Sequence, residues 1–155
     1  IEGIRKRVGN PRAPRVVLVT EKLTDEAMAR LYASMDFYVN PSRGEGYCLP
    51  LAQAMACGVV AVSTAATAPL DYIEDDLNGF LVDVSMDRAI SPTPHPWIDY
   101  NQRWATMNQS HLEAIIRDCL SMGRGDLDMI AAAGRKTMQD SHSVQANKER
   151  LLSLL

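Results

Sequence analysis

Four short apolar runs, none of them alternating, are separated by segments with helical spacing, and this rhythm constrains the chain more than any other feature. The runs are Arg15-Val16-Val17-Leu18-Val19-Thr20, Phe37-Tyr38-Val39, Val59-Val60-Ala61-Val62-Ser63 and Phe80-Leu81-Val82. An apolar run without polar alternation predicts a strand buried on both faces. After the first run, Thr24 is placed to cap a helix whose first turn holds Asp25 and Glu26. Ala27, Met28, Leu31, Tyr32 and Met35 then recur at helical spacing. After the second run, Pro50 suits the first turn of a helix over 51–57, and Gly58 suits its left-handed C-terminal cap. A Thr/Ala-rich stretch, 64–68, leads through Pro69 to a short helix or turn ending at Ile73, and Asn78-Gly79 makes a turn. Strands alternating with helices predict an α/β fold with a parallel sheet and right-handed crossovers, half of a doubly wound nucleotide-binding sheet.

The rest of the chain bounds this reading. Its 155 residues, 46% hydrophobic and 23% charged, suit one domain with a real core. A formal charge of −3 leaves no polycationic surface for nucleic acid, and no apolar run is long enough to span a membrane. Three cysteines, Cys48, Cys57 and Cys119, form no C-x-x-C pair, which points to a reducing cytoplasmic setting rather than a disulfide framework or a cysteine zinc site. The basic residues Arg5, Lys6, Arg7, Arg12 and Arg15 read as a solvated helix end running into the Asn10-Pro11 turn, with a phosphate-touching arm as the alternative. The chain opens at Ile1 without methionine and is expected to be part of a longer protein.

Residues 86–107 break the rhythm, with Pro92, Pro94 and Pro96 preceding Trp97, Tyr100 and Trp104. Buried tryptophans covering a sheet edge are the favoured reading, because large aromatics are mostly core. The alternative is an aromatic face offered to sugar rings or a lid over a cleft. A helical tail, 108–155, follows, with helices expected over 110–122, 126–139 and 144–155. The organisation is one partial domain over 1–155, with its core at 15–85.

One segment carries chemistry. The loop Ser42-Arg43-Gly44-Glu45-Gly46-Tyr47-Cys48 leaves a parallel strand and feeds a helix N-terminus, where unpaired N–H groups and the positive end of the dipole favour an anion such as phosphate. Neither G-x-G-x-x-G nor G-x-x-x-x-G-K-[ST] is present there. His95, His111 and His142 are scattered without short His/Asp pairing, so no metal site is expected. Asp75-Asp76 reads as a solvated acidic turn, and Cys48 as a loop residue without a histidine to make it a nucleophile.

From Asn40-Pro41-Ser42 through Glu45-Gly46-Tyr47-Cys48-Leu49-Pro50, Ala54-Met55-Ala56-Cys57-Gly58 and Val59-Val60, the wording resembles the donor-site signature of retaining nucleotide-sugar glycosyltransferases of family 4. Asp71-Tyr72-Ile73 with Asn78-Gly79-Phe80-Leu81-Val82, and the helix over 23–34, are similar to flanking stretches of that family. The resemblance covers roughly 15–85 and is loose in the tail. It implies the C-terminal, donor-binding half of a two-domain GT-B fold, with the first strand-helix unit of that half lying upstream. It also implies sugar transfer from a nucleotide-sugar to a glycan or lipid-linked acceptor, by a chain inactive without its N-terminal domain.

By the same resemblance, Glu45 accepts hydrogen bonds from donor-sugar hydroxyls, and the N–H groups of Gly46, Tyr47, Cys48 and Leu49 face sugar and diphosphate. The position eight residues after Glu45, where the family has a ribose-binding Glu, holds Gln53. Thr64 and Thr67 stand near the family's Gly-Gly, where their hydroxyls and Arg43 are candidate phosphate contacts. No metal or other cofactor is implied. The implied partners are the nucleotide-sugar and the N-terminal domain, with self-association through exposed former interdomain surface. The implied place is the cytoplasm, at the inner face of a membrane in the parent enzyme. Two other readings stay open: a degenerate domain serving as an interaction or assembly module, and half of a sugar-nucleotide epimerase.

Overall fold

The computed structural model describes residues 14–89, 96, 99 and 101–154. The expectations for Arg5, Lys6, Arg7, Arg12, Pro92, Pro94, His95, Trp97 and Tyr100 fall outside the described residues. Helix α1 spans Asp25–Ala33, and the Thr24 hydroxyl accepts the Ala27 N–H at 3.3 Å, the expected N-cap. Strand β1 (Phe37–Asn40) follows, then α2 (Leu49–Ala56), which starts earlier than its apolar spacing indicates and carries Pro50 in its first turn. Gly58 takes φ of +79° just beyond α2, the left-handed conformation that ends a helix at little cost in glycine.

Strand β2 (Val60–Thr64) is buried along its whole length and lies between β1 and β3 (Phe80–Val82), parallel to both. The link from β2 to β3 passes through a single 3-10 turn, Ala68–Asp71. Side chains of β2 alternate between two cores, as a strand's period of two requires. Ala61 joins Cys48, Leu51, Ala52, Met55, Tyr72, Ile73 and Met138 on one face. Val60 and Val62 join Phe80, Val82, Ile115 and Cys119 on the other. Burying a side chain such as Leu51, at 0% exposure, is worth about 1.5–3 kcal/mol.

The first apolar run is not a strand. Residues 15–20 have no sheet partner among the described residues, and Val17 and Leu18 are 64% and 66% exposed. Apolar composition promises burial but does not supply a neighbour. The outer edge of β1 is open among the described residues, and the run does not take it up.

The break at 86–107 is bounded by an antiparallel hairpin, β4 (Val84–Arg88) with β5 (Arg103–Met107), in place of irregular chain. Trp104 is half-buried, whereas Ala105 beside it is 1% exposed, so the strand buries its alanine and not the tryptophan expected in the core. The tail forms α3 (Gln109–Ser121), α4 (Arg124–Thr137), a π turn (Met138–His142) and α5 (Val144–Leu152). Gly123 stands at the N-cap of α4, so Arg124 and Gly125 begin the helix rather than separating two. The tail is part of the core: Ile115 and Cys119 of α3 seal one face of the sheet, and Met138 of the π turn seals the other.

Candidate functional site

The loop between β1 and α2 lies at the carboxyl end of the sheet, where open parallel sheets bind ligands. Hydroxyl contacts shape it. Buried Thr64 donates to the Ser42 carbonyl at 2.7 Å, and Ser42 Oγ lies 3.3 Å from the Gly44 carbonyl. The Glu45 N–H donates to Thr67 Oγ1 at 2.9 Å. Thr64 thus spends its one proton inside the loop, while Thr67 accepts and keeps its O–H proton on an exposed side chain.

Cys48 stands at the N-cap of α2 with φ 63° and ψ 62°, and no side chain caps the helix. Its carbonyl takes the N–H groups of Leu51 and Ala52, both at 3.1 Å. The N–H groups of Gly46, Tyr47, Cys48 and Leu49 have no acceptor among the described residues. Unpaired donors leading into the positive end of a helix favour an anion. Burial pushes the Cys48 thiol up, and the nearby Glu45 carboxylate adds to the shift, so its sulfur is a poor nucleophile.

Glu45 is half-buried, near enough to Tyr38, Cys48 and Tyr72 for its charge to disfavour their ionisation, although burial is the larger cause at each. Gln53 is exposed on α2, one helical turn after Leu49, and both line an open cavity of about 260 Å³. Tyr47, Met138 and His142 also line that cavity. The Tyr47 hydroxyl lies 3.0 Å from His142 Nδ1, and the Tyr72 hydroxyl donates to the Tyr47 carbonyl at 2.9 Å. Tyr72, Met138 and His142 were not singled out for this site by the sequence. Tyr72 stood in a stretch read as a short helix or turn and matched to the family only as a flanking stretch, and nothing local ties His142 to a loop 95 residues away.

Arg43 is exposed, and its carbonyl accepts the Ala105 N–H at 3.1 Å, so β5 docks directly on the loop. His111 pairs with Asp83 at 3.0 Å, a pairing across the fold that sequence spacing hides. Among the described residues no group of three or more His, Cys, Asp or Glu comes together as a metal site, and no helix is long and apolar enough to cross a membrane.

A parallel three-stranded sheet with flanking helices and an open loop at its carboxyl end is a Rossmann-like α/β arrangement. The family model for glycosyl transferases group 1 matches residues 3–91, and the chain belongs to that family. It is 32% identical over 98 residues to a GDP-mannose-dependent alpha-mannosyltransferase of Corynebacterium glutamicum, covering 63% of this chain and 24% of the relative. A protein of the same description from Mycolicibacterium smegmatis is 38% identical over 65 residues, covering 42% of this chain and 17% of the relative. The chain thus spans about a quarter or less of these relatives.

Among solved structures, the C-terminal domain of the group 1 glycosyl transferase LpcC from Francisella tularensis superposes with a TM-score of 0.66 at 22% identity, covering 93% of this chain and 61% of that one. Anabaena HepE in complex with UDP and glucose gives a TM-score of 0.68 at 20% identity, covering 99% of this chain and 35% of that one. These establish the fold expected from the resemblance: an α/β parallel sheet with flanking helices, here with a helical C-terminal segment.

Proposed function

We propose that this chain is the donor-binding half of a glycosyltransferase that moves a sugar from a nucleotide-sugar to an acceptor hydroxyl. GDP-mannose is the first donor to test, because both relatives described above are named for it. The observation that carries the reading is the row of free N–H groups from Gly46 to Leu49 between Glu45 and Gln53. Those donors suit the diphosphate, whose growing charge as it departs is what such a site must stabilise. Glu45, an acceptor-only group when ionised, suits the hydroxyls of the donor sugar. Gln53 suits the ribose, with one acceptor oxygen where a carboxylate would offer two. The exposed Thr67 hydroxyl keeps a proton for a phosphate oxygen, and Arg43 is a further cation at the loop. Acceptor recognition and turnover are assigned to the remainder of the parent enzyme, including its N-terminal domain, in the cytoplasm or at the inner face of a membrane.

Calorimetric titration with GDP, UDP and ADP, and with the matching nucleotide-sugars, tests the assignment. One diphosphate is expected to bind. Gln53→Glu should tighten it by about 1–2 kcal/mol, the gain of a charge-assisted over a neutral hydrogen bond. Glu45→Ala should weaken the nucleotide-sugar and leave the diphosphate nearly unchanged. Failure of every nucleotide to bind a chain with an intact circular dichroism spectrum would overturn the proposal.

A further inference from the structure

The hairpin offers an unassigned site. Strand β3 runs through Asp83 straight into β4, so the hairpin rises from the same end of the sheet as the donor loop. Cross-strand partners share a face, as do residues two apart on one strand. The register pairs Ser85 with Thr106 and Asp87 with Trp104, which puts these four residues on one face. The opposite face carries Ala105, which is buried, and Met107, which packs on the sheet. The Ala105 N–H donates to the Arg43 carbonyl at 3.1 Å, fixing β5 against the loop backbone. Between them lies a cavity of about 270 Å³ lined by Trp104, Ser42, Arg43 and Gly44. Ligand pockets run from about 300 to 1,000 Å³, so this one is too small for a whole nucleotide-sugar.

Its lining combines an aromatic ring with polar loop residues. A half-buried indole offers an apolar face, which matches the C–H face of a pyranose. The rim of such a ring asks for hydrogen-bond acceptors and donors. Ser85 Oγ donates to Asp87 Oδ2 at 3.0 Å, and the Thr106 hydroxyl and then the Ser85 hydroxyl hold the Asp87 carboxyl below the usual carboxylate range. An ionised carboxylate so held keeps lone pairs free to accept sugar hydroxyls.

We propose that Trp104 and Asp87 of the hairpin, with Ser42–Gly44 of the loop, form a subsite for one pyranose ring. The subsite rests on the donor-half reading because Glu45, assigned to the donor sugar, follows Gly44 on the same loop. The ring belongs to the donor or to the acceptor, and the test separates the two. With Trp97→Phe, Trp104 is the sole tryptophan of the full chain, since the sequence has two. Its emission is titrated with methyl α-D-mannopyranoside, methyl α-D-glucopyranoside, GDP-mannose, UDP-glucose, GDP and UDP. Saturable change with a glycoside or a nucleotide-sugar, and none with either diphosphate, is expected. A glycoside response that persists with bound nucleotide-sugar assigns the ring to the acceptor, and one abolished by it assigns the ring to the donor.

Saturation-transfer NMR with the unsubstituted chain gives a second readout. Transfer to the glycoside ring protons should fall at least tenfold in Trp104→Ala and about fivefold in Asp87→Asn. A Trp104 signal blind to every sugar, or transfer unchanged in Trp104→Ala, would sink the subsite. Calorimetric binding of a nucleoside diphosphate in that event would leave the donor-half reading standing. Sugar response without any nucleotide binding would instead leave the subsite and remove that reading.

Discussion

Thr67 stands where the family resemblance has glycine, and its backbone is that of a glycine: φ 56° and ψ −143°. A side chain held there costs of order 1–3 kcal/mol, and the hydrogen bond from the Glu45 N–H to Thr67 Oγ1 returns about 1 kcal/mol. The two effects give an inverted ranking. Thr67→Ala keeps the strain and loses the bond, so it should lower unfolding stability by about 1 kcal/mol. Thr67→Gly loses the bond and releases the strain, so it should match or exceed the parent chain. Urea denaturation decides, and equal losses in both variants would show that the loop does not hold this conformation. The place of the loop was legible at this scale: residues 42–48 feed a helix N-terminus as the spacing predicts, with Cys48 at the N-cap. The direction of the Thr64 hydroxyl was not legible, because burial turns it into the loop and only the fold sets burial.

Among elements, α4 shows how a local preference is reversed by packing. Alanine ordinarily stabilises a helix interior over glycine by about 1 kcal/mol. At Gly134 an added Cβ would stand 2.8 Å from the Asn78 carbonyl oxygen and 3.3 Å from the Met55 terminal methyl. Asn78 cannot step aside freely. Its side chain is buried, accepts the Glu74 N–H at 2.8 Å, and donates to the Tyr72 carbonyl and the Thr137 hydroxyl, both at 3.0 Å. Gly134→Ala should therefore destabilise the protein by about 1–3 kcal/mol in urea unfolding. A gain would mean that α4 can slide away from the loop. Most elements were legible from periodicity and caps, including Thr24, Gly58 and β3. The hairpin was not read, although Val84-Ser85-Met86-Asp87 does alternate. A strand of five residues separated from its partner by a proline-rich stretch gives no local sign of pairing.

For the whole molecule, the exposed surface is the informative quantity. Val17, Leu18 and Val19 are 64%, 66% and 51% exposed, and the outer edge of β1 is open among the described residues. Contiguous apolar chain and an open strand edge both favour association. Sedimentation velocity of the chain is expected to show concentration-dependent self-association. Replacing Val17 and Leu18 together by lysine should return it towards monomer. A monomer at every concentration would mean that these side chains find cover within one molecule.

By itself the sequence determined the class of fold, the position of the loop between β1 and α2 and the family, because these rest on local patterns: apolar runs buried on two faces, helix caps, and glycines ahead of a helix. Tertiary structure alone decided that residues 15–20 stay outside the sheet, that His142 meets Tyr47, and that Trp104 faces the loop instead of the core. Each of these depends on which segment becomes a neighbour. Hydrophobicity states that a residue gains by being covered, but only the completed packing supplies the surface that covers it.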